Sequence, residues 1–295
     1  MKPIMLSDGE STITIRPDLG AGLERYDFQH VPMFRPAPPG TTDPFQLAMN
    51  VLVPWSNRIS GGGFAYGGMF HRLSPNVAGE AYPIHGFGFS EAWLPSGQTG
   101  TSADFVLVYK GPGPYAFRAE LNYTLAHGAL EIWLEVSNLG DVPMPFGLGV
   151  HPWLPRSPST QLTMRTKRVQ LQNSACLPTG FISVSERKEW DFRRGKILPS
   201  GWINNAFTGW DGMADVFWPD KNITLSINAS DSAPTCVVYS PGDAADFFCF
   251  EPVTHPVDAH NQPGGPVHNG LTILNPGMSF DIQCGFIPAP VRGKS

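Results

Sequence analysis

Apolar and polar residues alternate with a period of two in segment after segment of this chain. The pattern is clear over residues 11–16, 103–109, 117–125, 129–136, 161–172, 222–228 and 279–286. Successive side chains of a strand point to opposite faces, so this alternation predicts strands that are buried on one side. Clusters of Gly, Pro, Asn or Asp bound each run, as expected of strands joined by turns. No window of a dozen residues carries a helical period. Strands without interleaved helices predict an all-β fold, an antiparallel sandwich or barrel. With no linker, repeat or low-complexity tract, residues 1–295 are expected to form one domain. The Pro-rich stretch 34–44 and the Gly-rich stretch 60–68 are expected loops on either side of Val-Leu-Val-Pro-Trp-Ser-Asn-Arg-Ile, residues 51–59.

Three apolar runs end on an ionisable residue: His85 in Tyr-Pro-Ile-His-Gly-Phe, His151 in Gly-Leu-Gly-Val-His-Pro-Trp, and Glu251 in Phe-Phe-Cys-Phe-Glu-Pro. A titratable group on a half-buried strand costs free energy unless it is paired, and such groups concentrate where chemistry needs them. Strand periodicity places Phe146, Leu148 and Val150 on a core face and Gly147, Gly149 and His151 on the other. A ligand lying over the two glycines would account for them. The same count groups Phe247, Cys249 and Glu251, with Phe248 and Phe250 on the reverse face. These residues are the candidate active site.

Composition narrows the partners. Charged residues are 15% of the chain, against 32 Gly and 30 Pro, a balance that favours turn-rich β structure over helix. A net charge of −5 provides no basic face for nucleic acid or an anionic membrane, so a small neutral ligand fits better. No apolar run reaches membrane-spanning length, and the N-terminal residues lack a signal-peptide pattern. Cys176, Cys236, Cys249 and Cys284 form no Cys-x-x-Cys pair and read as reduced thiols. A cytoplasmic location is the resulting expectation.

The segment Pro54-Trp55-Ser56-Asn57-Arg58-Ile59, then His85-Gly86, His151-Pro152-Trp153 and Glu251-Pro252, resembles in order and spacing the motifs of the aldose 1-epimerase (mutarotase) family. Pro17-Asp18-Leu19-Gly20-Ala21 and the ending from Gly270 to Gly277 are also similar to that family, so the resemblance spans essentially the whole chain. It implies an antiparallel β-supersandwich of the galactose mutarotase-like type that interconverts the α and β anomers of a free aldose. By position, Glu251 would be the general base and His151 the general acid. Arg58 and His85 would hold sugar hydroxyls, with Asn57 supporting them. The family's sugar-binding Asp has no exact counterpart: Asn204 stands in the matching stretch, and Asp211 is the alternative. Asn offers a donor and an acceptor where Asp offers an anion.

Ring opening needs a proton removed from the anomeric hydroxyl and one delivered to the ring oxygen, which a carboxylate and an imidazolium can do together. An ionised Glu251 and a protonated His151 are therefore expected in the resting site, with no metal and no redox cofactor. Trp55, Trp153 and Trp210 are candidate sugar-stacking rings, with Trp153 best placed. His255, Asp258 and His260 match no standard metal spacing. Their segment is expected to be a loop closing over the sugar, with Asp258 or Asn261 near its rim. A hexose 6-phosphate epimerase would need further cations beside Arg58, for which Arg72 and Arg156 are available. A non-catalytic sugar-binding protein would not need the His151 and Glu251 pair. A monomer or a homodimer is consistent with these readings.

Overall fold

The computed structural model describes residues 1–291. Two antiparallel sheets, of eleven and nine strands, face each other across a shared apolar core. The second sheet has at its centre the long strands Phe117–Ala126, Ala129–Asn138 and Ser279–Pro290. In the first two, burial alternates residue by residue. Phe117, Ala119, Leu121, Tyr123 and Leu125 point inward beside Leu130, Ile132, Leu134 and Val136. The period-two pattern of the sequence is thus the signature of a sheet with one wet face.

The first sheet behaves differently. Its central strands are β1 (Met49–Leu52), β2 (Gly149–Pro155), β3 (Arg168–Gln172), β4 (Ile203–Thr208), β5 (Thr235–Ser240) and β6 (Phe247–Val253), adjacent in the order β1-β2-β6-β5-β4-β3. β1 is buried throughout and β6 nearly so. Phe248 and Phe250 enter the main core with Val51, Val150, Val238 and Phe207. On the opposite face Leu52, Val253, Val237, Ala206 and Val257 form a separate small cluster. That face is covered rather than solvated, and the site occupies the part of it that the cluster leaves open.

Two expectations are corrected here. Residues 161–172 are not one strand. Gln161–Met164 pairs within the second sheet, whereas Arg168–Gln172 belongs to the first, so the chain crosses the sandwich at Arg165-Thr166-Lys167. The glycines before His151 do not make room for a ligand. A Cβ on Gly147 would lie 2.2 Å from the His255 ring, and one on Gly149 would lie 2.6 Å from the Val253 side chain. They admit the covering loop and the neighbouring strand. Among the described residues, helix is limited to one α turn, Gly265–His268, and three short 3-10 turns. None of the described helices is long and apolar enough to cross a membrane.

Candidate active site

Strand register assembles the site. Gly149 pairs with Val253 and Trp153 with Cys249, so the same antiparallel register sets His151 opposite Glu251. Glu251 pairs in turn with Val237, Cys249 with Tyr239, and Tyr239 with Asn204. His151, Trp153, Glu251, Tyr239 and Asn204 therefore share one face of four adjacent strands, although up to 100 residues separate them in sequence. They line a cavity of about 250 Å³.

The opposite wall is built from irregular chain. His85 and Asn57 both adopt left-handed backbone conformations, with φ of 59° and 57°. Such residues cost free energy and cluster at functional sites. Gly86 is required next to His85, because the Val53 carbonyl oxygen lies only 2.1 Å from where a Cβ would stand. The Asn57 amide N–H donates to His85 Nδ1 at 3.2 Å, so the neutral ring carries its proton on Nε2. Asn57 Oδ1 accepts from the Arg58 amide at 3.0 Å, and the Arg58 carbonyl accepts from the Asp258 amide at 3.1 Å. Arg58 is thus fixed at both backbone groups before its side chain reaches the cavity.

At the floor, His151 Nε2 lies 3.3 Å from Glu251 Oε1, with the side chains 9% and 2% exposed. Glu251 Oε2 and His151 Nδ1 are buried with no hydrogen-bond partner among the described residues. Burial pushes the Glu251 carboxyl up to about 8, a rise opposed by the charge of Arg58. Burial also pushes His151 down to about 4, with a smaller contribution from the Arg35 charge. Removing water penalises both charged forms, so near neutral pH the pair holds a single proton, carried by Glu251. This corrects the expectation of an ionised Glu251 beside a protonated His151. His85 is likewise held well below the ordinary histidine range by burial.

Aromatic rings close the cavity. Trp153 stacks on His151 with centroids 5.4 Å apart, and the Arg35 guanidinium lies over the Trp153 ring at 4.3 Å. Phe45, carried on the 3-10 turn Pro44–Gln46, lines the wall near His85. Trp202 is 53% exposed and packs edge-on to Tyr239 at the rim. Trp55 and Trp210 are core residues outside the cavity. Asn204 lines the site, its Nδ2 lying 3.6 Å from the Cys176 sulfur. Asp211 does not. It is exposed at a turn, where it accepts from the Met213 amide and borders a separate depression with Thr163 and Arg165.

The segment after Glu251 is not a lid. His255 accepts the Ser56 amide N–H at its Nε2, and Asp258 accepts from Ser60 N and Oγ at 2.9 and 2.7 Å. His260 Nε2 meets the Tyr115 hydroxyl at 3.0 Å, and Asn261 donates to Ser60 and Gly63. These side chains, buried except for that of Asn261, form the backing that holds residues 56–63 in place. Among the described residues, no group of three or more His, Cys, Asp or Glu side chains is disposed to hold a metal ion. The sequence reading missed Phe45, Glu80, Cys176, Trp202 and Tyr239. Only Trp202 left a trace, as an aromatic residue beside the strand already marked by Asn204.

The sequence model of the aldose 1-epimerase family matches residues 3–286, and the chain belongs to that family. It is 31% identical over 282 residues to the uncharacterized protein YphB of Escherichia coli K12, covering 93% of this chain and 94% of that one. A crystal structure from the same organism, provisionally named an aldose 1-epimerase, superposes with a TM-score of 0.91 at 28% identity, covering 98% and 99% of the two chains. A galactose mutarotase-like protein from Clostridium acetobutylicum shares the fold at a TM-score of 0.85 and 21% identity, covering 98% of this chain and 95% of its own.

Proposed function

We propose that this protein is an aldose 1-epimerase, interconverting the anomers of a free aldose by acid–base opening and reclosure of the ring. The observation that carries this reading is the Glu251 and His151 pair, 3.3 Å apart on facing strands at the floor of a cavity of monosaccharide size. Family membership supports the same reaction class.

In the forward step Glu251 takes the proton of the anomeric hydroxyl while His151 delivers one to the ring oxygen. The bond from the anomeric carbon to the ring oxygen breaks, leaving an open-chain aldehyde. Rotation about the adjacent carbon–carbon bond presents the other carbonyl face, and reversal of the proton transfers closes the ring. One proton enters the sugar for each that leaves it, so the pair ends with the same proton count. The reactive arrangement differs from the resting one by the position of a single proton between groups 3.3 Å apart. Sugar hydroxyls donating to Glu251 Oε2, which has no hydrogen-bond partner among the described residues, stabilise the carboxylate. Arg58, Asn57, His85 and Asn204 are assigned to the sugar hydroxyls, and Trp153 to an apolar face of the ring.

The test is anomer exchange, followed by NMR over a panel of aldoses. The proposal expects exchange above the spontaneous rate for at least one aldose. Binding without acceleration for every sugar that binds would replace it with a sugar-binding protein on the same fold.

A further inference from the structure

Arg58 is the one lysine or arginine among the described residues lining the cavity. It does not face the cavity as a free cation. Its Nε and Nη2 donate to the two Glu80 carboxylate oxygens at 3.0–3.1 Å, in a bidentate fork. Nη1 makes no hydrogen bond to the described residues. The pair is mostly enclosed, with side chains 16% and 31% exposed.

Glu80 is also held there by construction. Its loop is pinned to the His85 segment by Asn76, which donates to the Ile84 and Gly86 carbonyls and accepts from the Ile84 amide. Ile84 forms a bridge to Arg58 itself. Arg72 and Arg156, the other available cations, lie outside the cavity. Arg72 ends an exposed hairpin strand, and Arg156 is engaged by Ser240 and the Pro199 carbonyl.

We infer that Glu80 is a specificity-determining residue that selects uncharged aldoses and rejects their phosphate esters. This inference deepens the reading of the site as an aldose epimerase. An anionic substrate would need Arg58 for charge-assisted hydrogen bonding. Glu80 already occupies the two donors that such a fork would use, and its own charge repels a second anion. The remaining Nη1 suits a neutral hydroxyl oxygen. Because Glu80 also holds the guanidinium in one orientation, its removal loosens the grip on a neutral sugar while admitting an anion.

The experiment measures the affinities of glucose, galactose, their 6-phosphates and inorganic phosphate for wild type, Glu80→Gln and Glu80→Ala by titration calorimetry. Anomer exchange is recorded in parallel. In wild type each free hexose that binds should bind more tightly than its 6-phosphate, and inorganic phosphate should bind least. In both variants the preference should move toward the phosphate ester by about tenfold, the scale of one charge–charge contact near a protein surface. Inorganic phosphate should gain similarly, a readout that needs neither sugar binding nor turnover. Equal or tighter 6-phosphate binding by wild type, or an unchanged preference in both variants, would overturn the inference. Absence of anomer exchange with the expected shift in affinity would sink the epimerase reading while leaving the role of Glu80 intact.

Discussion

Glu251 and His151 share one water-poor floor, and burial moves both toward their neutral forms, up to about 8 and down to about 4. Between those values the pair holds one proton, the count that ring opening needs wherever the proton sits, and the two limbs belong to the pair. A bell-shaped profile of kcat/KM is therefore expected, with an acidic limb near pH 4 and a basic limb near pH 8, measured by anomer exchange across pH. The same burial makes Glu251 a destabilising residue. A folded-state pKa raised from 4.5 to about 8 means that stability is full below 4.5 and is lost as pH rises through 8. Glu251→Gln removes that slope. Its thermal unfolding should show a gain on the order of 3 kcal/mol at neutral pH, vanishing near pH 4. Its rate should fall by roughly 10²–10⁴. The identity of these residues was readable in the sequence, because a polar residue ending an apolar run is conspicuous. Their protonation was not, because it depends on how completely neighbouring strands exclude water.

At the level of elements, the strands with one exposed face announced themselves by alternation, as in 117–125 and 129–136. Strands covered on both faces, such as Met49–Leu52, carry no such signal. The break at Arg165-Thr166-Lys167 was hidden because alternation continues through it while the chain changes sheets. Gly147 and Gly149 were recognised as unusual, but the sequence could not say what fills the space above them. Since His255 and Val253 fill it, Gly147→Ala and Gly149→Ala should each destabilise by about 1–3 kcal/mol in chemical denaturation, the ordinary cost of overpacking. Gly147→Ala should in addition raise KM, because a displaced His255 releases the Ser56 amide and with it the Arg58 segment. Asn76→Ala should mimic the Glu80 variants in weakened form, since it frees the loop rather than removing the charge.

Across the whole molecule, the covered face of the larger sheet turns a sandwich into an enzyme-like container. Four strands contribute the floor, and the loops around Asn57, Glu80 and His85 build the wall. The loop after Glu251 buttresses that wall from behind. The resemblance of the sequence to the aldose 1-epimerase family extended along nearly the entire chain, and the family match and the architecture agree with it. Residues drawn in from distant positions by register, such as Tyr239, or by a loop, such as Glu80, had no local pattern to reveal them. Asp211 shows the converse, a residue of suitable chemistry placed by the fold on the outer surface. The most direct test of the central claim is anomer exchange by NMR on a panel of free aldoses for wild type, Glu251→Gln and Asp211→Ala. Exchange by wild type and Asp211→Ala, with Glu251→Gln reduced at least a hundredfold, is the expected result. Exchange undiminished in Glu251→Gln, or undetectable in wild type for every aldose, would contradict it.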